Sequence, residues 1–60
     1  MRLKIERVKR GLNQQQLAEK CGVARFTISK IEKHGISNVK MSTLTKIAAA
    51  LNSTVQELFF

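Results

Sequence analysis

Apolar residues in this chain recur three and four positions apart, and glycines at 11, 22 and 35 cut the pattern into short pieces. A period near 3.6 gathers apolar side chains on one side of a helix, whereas a half-buried strand needs a period of two. There is no proline, and the β-branched residues never alternate over a strand's length, so the chain reads as all-α. Sixty residues bound it further to a single domain over 1–60. A chain this short buries only ~60% of the surface its unfolded form exposes. Substrate-enclosing enzyme folds such as Rossmann sheets and TIM barrels need several times this length. Cys21 is the one cysteine and His34 the one histidine, so neither a disulfide nor a four-ligand zinc site can form within the chain. No metal or cofactor is expected, and stability has to come from an apolar core, with oligomerisation as a further source.

Charge narrows the partners. Eleven Lys and Arg stand against four acidic residues, all Glu, for a formal charge of +7. That balance suits a polyanion: DNA, RNA or an anionic membrane. The plainer alternative is that the cations only keep the chain soluble. At 43% hydrophobic it is too apolar for a disordered basic tail. The segment MRLKIERVKR is charged throughout and lacks the apolar stretch of a signal peptide. The longest apolar run, Ile47 to Leu51, is far below the ~20 residues of a membrane span. A lone thiol fits a reducing compartment. The expectation is a cytoplasmic protein with no membrane partner.

The spacing predicts five short helices. The first runs over Arg2–Arg10, with Leu3, Arg7 and Val8 near one face and Gly11 as a left-handed end. In the second, Asn13 caps and Gln16 answers three residues later. Leu12 there staples onto Leu17, Leu17, Ala18 and Cys21 face inward, and Gly22 closes. The third, Arg25–Lys33, turns Ile28 and Ile31 inward. A loop over Gly35–Lys40 leads to the fourth, Met41–Leu51, striped by Leu44, Ile47, Ala48 and Leu51. Thr54-Val55-Gln56-Glu57 is a capping box that opens the last helix, and Leu58 and Phe59 close the core.

The segment QQQLAEKCGVARFTISKIEK, Gln14 to Lys33, can form a tight helix–turn–helix. Ala18 is small where the first helix meets the second, and Gly22 tolerates the positive φ of the turn. Leu17, Cys21, Val23, Ile28 and Ile31 then fall on one side. Arg25, Phe26, Thr27, Ser29, Lys30 and Lys33 face outward. A helix with that face can lie in a major groove, its N-terminal residues at base edges and its polar flanks on phosphates.

The stretch GLNQQQLAEKCGVARFTISKIEKHG, with STLTKIAAAL and VQELFF after it, resembles the lambdoid phage repressor and Cro-type helix-turn-helix family, also called the Xre family. The resemblance covers essentially the whole chain. It implies a compact five-helix, lambda-repressor-like DNA-binding domain with the helix-turn-helix at helices 2–3, usually a homodimer on a two-fold operator, and no enzyme. On this resemblance Asn13 and Gln14 dock the second helix onto a phosphate. Arg25, Phe26 and Lys30 match base-reading positions, and Thr27 one that touches base or backbone. Lys33, His34 and Lys40 sit where phosphate contacts arise. Arg7 and Glu32 match an internal salt bridge between the first and third helices.

Side-chain chemistry leaves several of these roles open. Arg25 offers a fork for guanine O6 and N7, or a phosphate contact. Phe26 can pack on a thymine methyl or fold back onto the protein. Lys30 can reach guanine or phosphate, and Thr27 and Ser29 either base or backbone. Cys21 is a core filler rather than a nucleophile. His34 is a surface or phosphate-facing residue.

The sequence also departs from the family pattern. Ala24 stands where the family usually has a capping Ser or Thr, and its methyl could face a thymine. Val39 replaces the usual loop proline, Ser53 an apolar staple, and the first helix, starting almost at Met1, is about a turn shorter than in many relatives.

The leading expectation is a sequence-specific DNA-binding regulator, a repressor acting by occupancy. Val55, Leu58, Phe59 and Phe60 are the candidates for a homodimer surface. A different class is an antitoxin-type interaction protein that binds a toxin partner as well as its own promoter. A third is a cationic membrane-surface peptide, against which the punctuated helices argue.

Overall fold

The computed structural model describes all 60 residues. Its five helices are α1 (Leu3–Lys9), α2 (Gln14–Cys21), α3 (Arg25–His34), α4 (Met41–Ala50) and α5 (Val55–Phe59). Each predicted helix is present, with ends differing by a residue or two. α1 is a residue shorter at each end, α3 a residue longer, and α4 stops one residue early.

Left-handed residues set several of the ends. Gly22 has φ +74°, and the N–H groups of Gly22 and Val23 both donate to the Ala18 carbonyl, at 2.9 and 3.1 Å. That satisfies an orphan carbonyl at the end of α2 and turns the chain sharply into α3. Gly11 does the same after α1, where the Leu12 N–H reaches the Arg7 carbonyl at 3.1 Å. After α4 the left-handed residue is Asn52, φ +53°, with Ser53 N–H on the Ala48 carbonyl at 2.9 Å. Both capping boxes form as read. The Asn13 side chain accepts from Gln16 N–H and the Thr54 hydroxyl from Glu57 N–H, each reciprocated by the Gln or Glu side chain.

Twelve buried apolar residues make one core: Leu3, Leu17, Ala18, Cys21, Ile28, Ile31, Leu44, Ile47, Ala48, Leu51, Leu58 and Phe59. Leu12, Val23, Val39 and Val55 pack around it, half-buried. α2 sits between α3 and α4, α4 packs on α5, and α5 meets α1, where the Arg2 N–H donates to the Leu58 carbonyl at 2.8 Å. Val8 departs from its reading: it is 57% exposed, because Leu3 and Arg7 take the inward side of this two-turn helix. Burial of Cys21 raises its thiol above the ordinary value despite the neighbouring Lys20 charge, so it stays an inert core residue. No helix is long and apolar enough to cross a membrane.

Candidate nucleic-acid interface

α3 packs on α2 through Ile28 and Ile31, both fully buried, which leaves its other face outward. Arg25 and Phe26 are exposed in its first turn, and Thr27, Ser29 and Lys30 are half-buried. Lys33 and His34 lie exposed in its last turn. Phe26 is 75% exposed and does not fold back into the core. Ala24 begins α3 without a side-chain cap, and Lys40 begins α4 the same way, so the first N–H groups of both helices have no side-chain acceptor.

An ion pair sets the pose of α3. Arg7 Nε donates to Glu32 Oε2 at 2.7 Å and Arg7 Nη2 to Glu32 Oε1 at 3.1 Å, with the two side chains 10% and 7% exposed. Arg7 Nη1 also donates to the Leu12 carbonyl at 2.8 Å, and Gln14 Nε2 to Glu32 Oε1 at 3.1 Å. One guanidinium therefore joins α1, the α1–α2 turn and α3. Burial pushes the Glu32 pKa up, but the Arg7 and Gln14 hydrogen bonds and the Arg7 and Lys4 charges outweigh it and hold the carboxyl below its ordinary value. The Gln14 amide was expected to meet a phosphate. One of its two N–H groups goes to Glu32, because the Arg7–Glu32 pair lies beside the start of α2. Asn13 Oδ1 is likewise held by the Gln16 N–H, at 2.7 Å.

Two shallow depressions flank the outward face of α3. One is lined by Arg7, Asn13, Gln14, Gln15 and Arg25, without a hydrophobic residue. The other is lined by Phe26, Thr27, Lys30, Asn38, Val39, Lys40 and Thr43. Residues from α2, α3, the following loop and the start of α4 thus line the two depressions, with Arg25, Lys30 and Lys40 as their unpaired cations. Asn38, with φ +65°, and Thr43 were missed by sequence reasoning. Their only prior signal was a place in or beside the Gly35–Lys40 loop.

The cations of α1 are arranged differently. Glu6 accepts Arg10 Nη1 at 2.7 Å and Arg2 Nη2 at 3.1 Å, with Lys9 Nζ at 3.6 Å. The Arg10 and Arg2 hydrogen bonds are the chief reason its pKa falls to about 2. Arg10 also donates to the Leu51 carbonyl at 2.7 Å, tying α1 to the end of α4. Seven cations form no ion pair, and of these Arg25, Lys30, Lys33 and Lys40 lie on α3 or between it and α4.

The candidate dimer surface needs correction. Leu58 and Phe59 are 1% and 6% exposed and belong to the core, since α5 is so short that its apolar side is needed to close the fold. Val55 is half-buried, and Phe60 is 77% exposed.

Comparison with known proteins agrees with this geometry. A helix-turn-helix family model matches residues 3–58. The chain is 40% identical over 58 residues to an uncharacterized HTH-type transcriptional regulator of Archaeoglobus fulgidus, covering 97% of this chain and 81% of that protein. It is 37% identical over 57 residues to the HTH-type transcriptional regulator SinR of Bacillus subtilis, covering 95% of this chain and 51% of SinR. It is 34% identical over 56 residues to a hypothetical transcription factor of Neisseria meningitidis, covering 93% of this chain and 52% of that protein. The chain thus spans about half the length of the last two relatives. No solved structure matches at comparable significance. The family match over nearly the whole chain, on a fold whose second and third helices meet at the Gly22 turn, makes this chain a member of the Cro/C1-type helix-turn-helix family.

Proposed function

We propose that this chain is a sequence-specific DNA-binding repressor of transcription that places α3 in the major groove and binds a two-fold operator as a homodimer. The observation that carries the reading is the sorting of charge: Glu6 and Glu32 hold Arg2, Arg7, Lys9 and Arg10, while Arg25, Lys30, Lys33 and Lys40 stay unpaired on and just after α3. An α-helix is ~10–12 Å across with its side chains, so α3 fits a groove ~12 Å wide. Arg25 and Lys30 read guanine edges, and Phe26 and Ala24 pack on thymine methyls, with Thr27 and Ser29 on base or backbone. Lys33, His34, Lys40, Asn13, Gln14 and the free N–H groups opening α2 hold phosphates.

One copy measures 26 Å in its longest dimension. Half-sites of a two-fold operator lie ~34 Å apart, so one copy cannot cover both. Phe60 and Val55 are the apolar residues of the C-terminal end left for a partner copy.

Site selection from random duplexes at two salt concentrations, followed by variant titrations, tests the reading. Arg25→Ala should lose ~1–3 kcal/mol and relax preference at one base position. Lys40→Ala should weaken all sequences alike and lower the salt slope by about one. Equal effects of both variants on selected and random DNA would refute the assignment. Sedimentation showing a monomer at high concentration, with and without operator, would remove the homodimer.

A further inference from the structure

We propose that Ile5 and Val8, on the outer side of α1, with Met1 just before it, form a docking face for an acidic amphipathic helix of a protein partner, engaged while α3 remains free. This goes beyond DNA reading and does not depend on it. The three side chains are 56%, 52% and 57% exposed. Single exposed apolar residues are ordinary. Here Ile5 and Val8 stand three positions apart, so they share one face of α1, and Met1 precedes that helix by two residues. Ile5 lies two residues from both Leu3 and Arg7, which puts it roughly 200° around the helix from the buried side. Helix propensity does not account for it either, since the β-branched Ile5 and Val8 are weaker helix formers than a polar Glu, Lys or Gln would be.

Charge selects the occupant. Lys4 borders the stripe on one edge and Lys9 on the other. Lys4 forms no ion pair, and Lys9 is 63% exposed with only the shared Glu6 at 3.6 Å. A second copy docked here would set Lys4 and Lys9 against lysines of its own kind. A bilayer would gain little from two side chains on a seven-residue helix and one before it. A helix with an apolar stripe and Glu or Asp on its flanks meets both edges at once. The stripe also faces away from Arg7, whose guanidinium holds Glu32 of α3 on the opposite side of α1. A docked helix therefore leaves the α3 pose undisturbed.

The test uses the full chain and a synthetic peptide of about 18 residues, long enough to be helical, with Leu at i, i+4 and i+7 and Glu on the flanking positions. Methyl NMR should show saturable shifts at Ile5 and Val8. The double variant Ile5→Ser with Val8→Ser should weaken peptide binding about tenfold or more while melting and DNA binding stay as in the parent, and Lys4→Gln with Lys9→Gln should weaken peptide binding in the same way. A version of the peptide with Lys on its flanks should not bind. The proposal is overturned if the peptide perturbs only Arg25 and Phe26 as a DNA mimic, if binding survives the serine variant, or if none occurs by about 1 mM. It is equally overturned if the same methyls shift with protein concentration alone, or if phosphatidylserine vesicles engage them and the peptide does not.

Discussion

Arg7 is 8% exposed, and its guanidinium meets a carboxylate and a carbonyl instead of solvent. By composition it counts as one more DNA-facing cation. Its place near Leu3, and Glu32 as the single acid of the third helix, were enough to expect a pair. What could not be read was the rest of the node. Gln14 and the Leu12 carbonyl join only once the turn at Gly11 has formed, and that geometry has no one-residue signature. The node yields a sharp prediction. Arg7→Met should destabilise by ~3–5 kcal/mol, because it strands a buried carboxylate. Adding Glu32→Met should recover most of that loss, since two packed apolar side chains need no ionic partner. Urea unfolding of the two single variants and the double variant measures the coupling. If the double variant is as unstable as the sum of the singles, the pair is not the reason for the loss. The Glu6 node was missed for a related reason. Its partners stand at i−4, i+3 and i+4, a legible spacing, but Arg10 also reaches Leu51, 41 residues away.

The helices themselves were legible because caps and periodicity agree locally. Asn13 with Gln16, and Thr54 with Glu57, are four-residue signatures that act before any packing. α5 has five residues and depends on its cap, so Thr54→Ala should cost ~0.5–2 kcal/mol and loosen Leu58 and Phe59 with it. Hydrogen exchange at Leu58 and Phe59 should rise faster than global unfolding explains; unchanged protection there would show that packing alone holds α5. The start of α3 gives the opposite case. Ala24 has extended backbone, φ −73° and ψ 145°, ready for a capping side chain it does not have. Ala24→Ser should raise stability by ~0.5–2 kcal/mol in thermal or urea unfolding, and a loss would mean that the first turn cannot accept a cap. At Gly22 an added Cβ would meet nothing within 4 Å, so only its φ of +74° opposes a side chain. Gly22→Ala should therefore cost ~1–2 kcal/mol and no more. Asn52 and Asn38 take the same left-handed region, and neither was foreseen. Asparagine tolerates that region but also fills many ordinary loop positions, so it marks such turns less sharply than glycine.

Across the whole molecule the formal charge of +7 is unevenly arranged, and the arrangement predicts how stability responds to acid. Glu6 has its pKa lowered from 4.5 to about 2, chiefly by the Arg10 and Arg2 hydrogen bonds. Glu32 is also lowered, by Arg7 and Gln14 against the opposing effect of burial. A carboxylate whose folded pKa lies below its unfolded value binds fewer protons when folded. Its contribution is therefore fully present above the unfolded pKa and is lost as pH falls through the folded one. For Glu6 the window runs from 4.5 down to about 2. The midpoint of thermal unfolding should thus be flat near neutral pH and drop below 4.5, where Arg2, Lys9 and Arg10 lose their shared counter-charge. Protonation there also leaves the cations of α1 facing one another on a seven-residue helix. Glu6→Gln should lower the midpoint at pH 7, and the gap to the parent should close as pH falls toward 2. A gap of constant size from neutral pH to pH 2 would mean that the carboxylate's charge does not hold α1 in place. Salt should narrow the gap at pH 7, since these pairs lie at the surface and are screened. The Arg7–Glu32 pair is shielded from solvent, so the corresponding gap for Glu32→Gln should respond much less to salt.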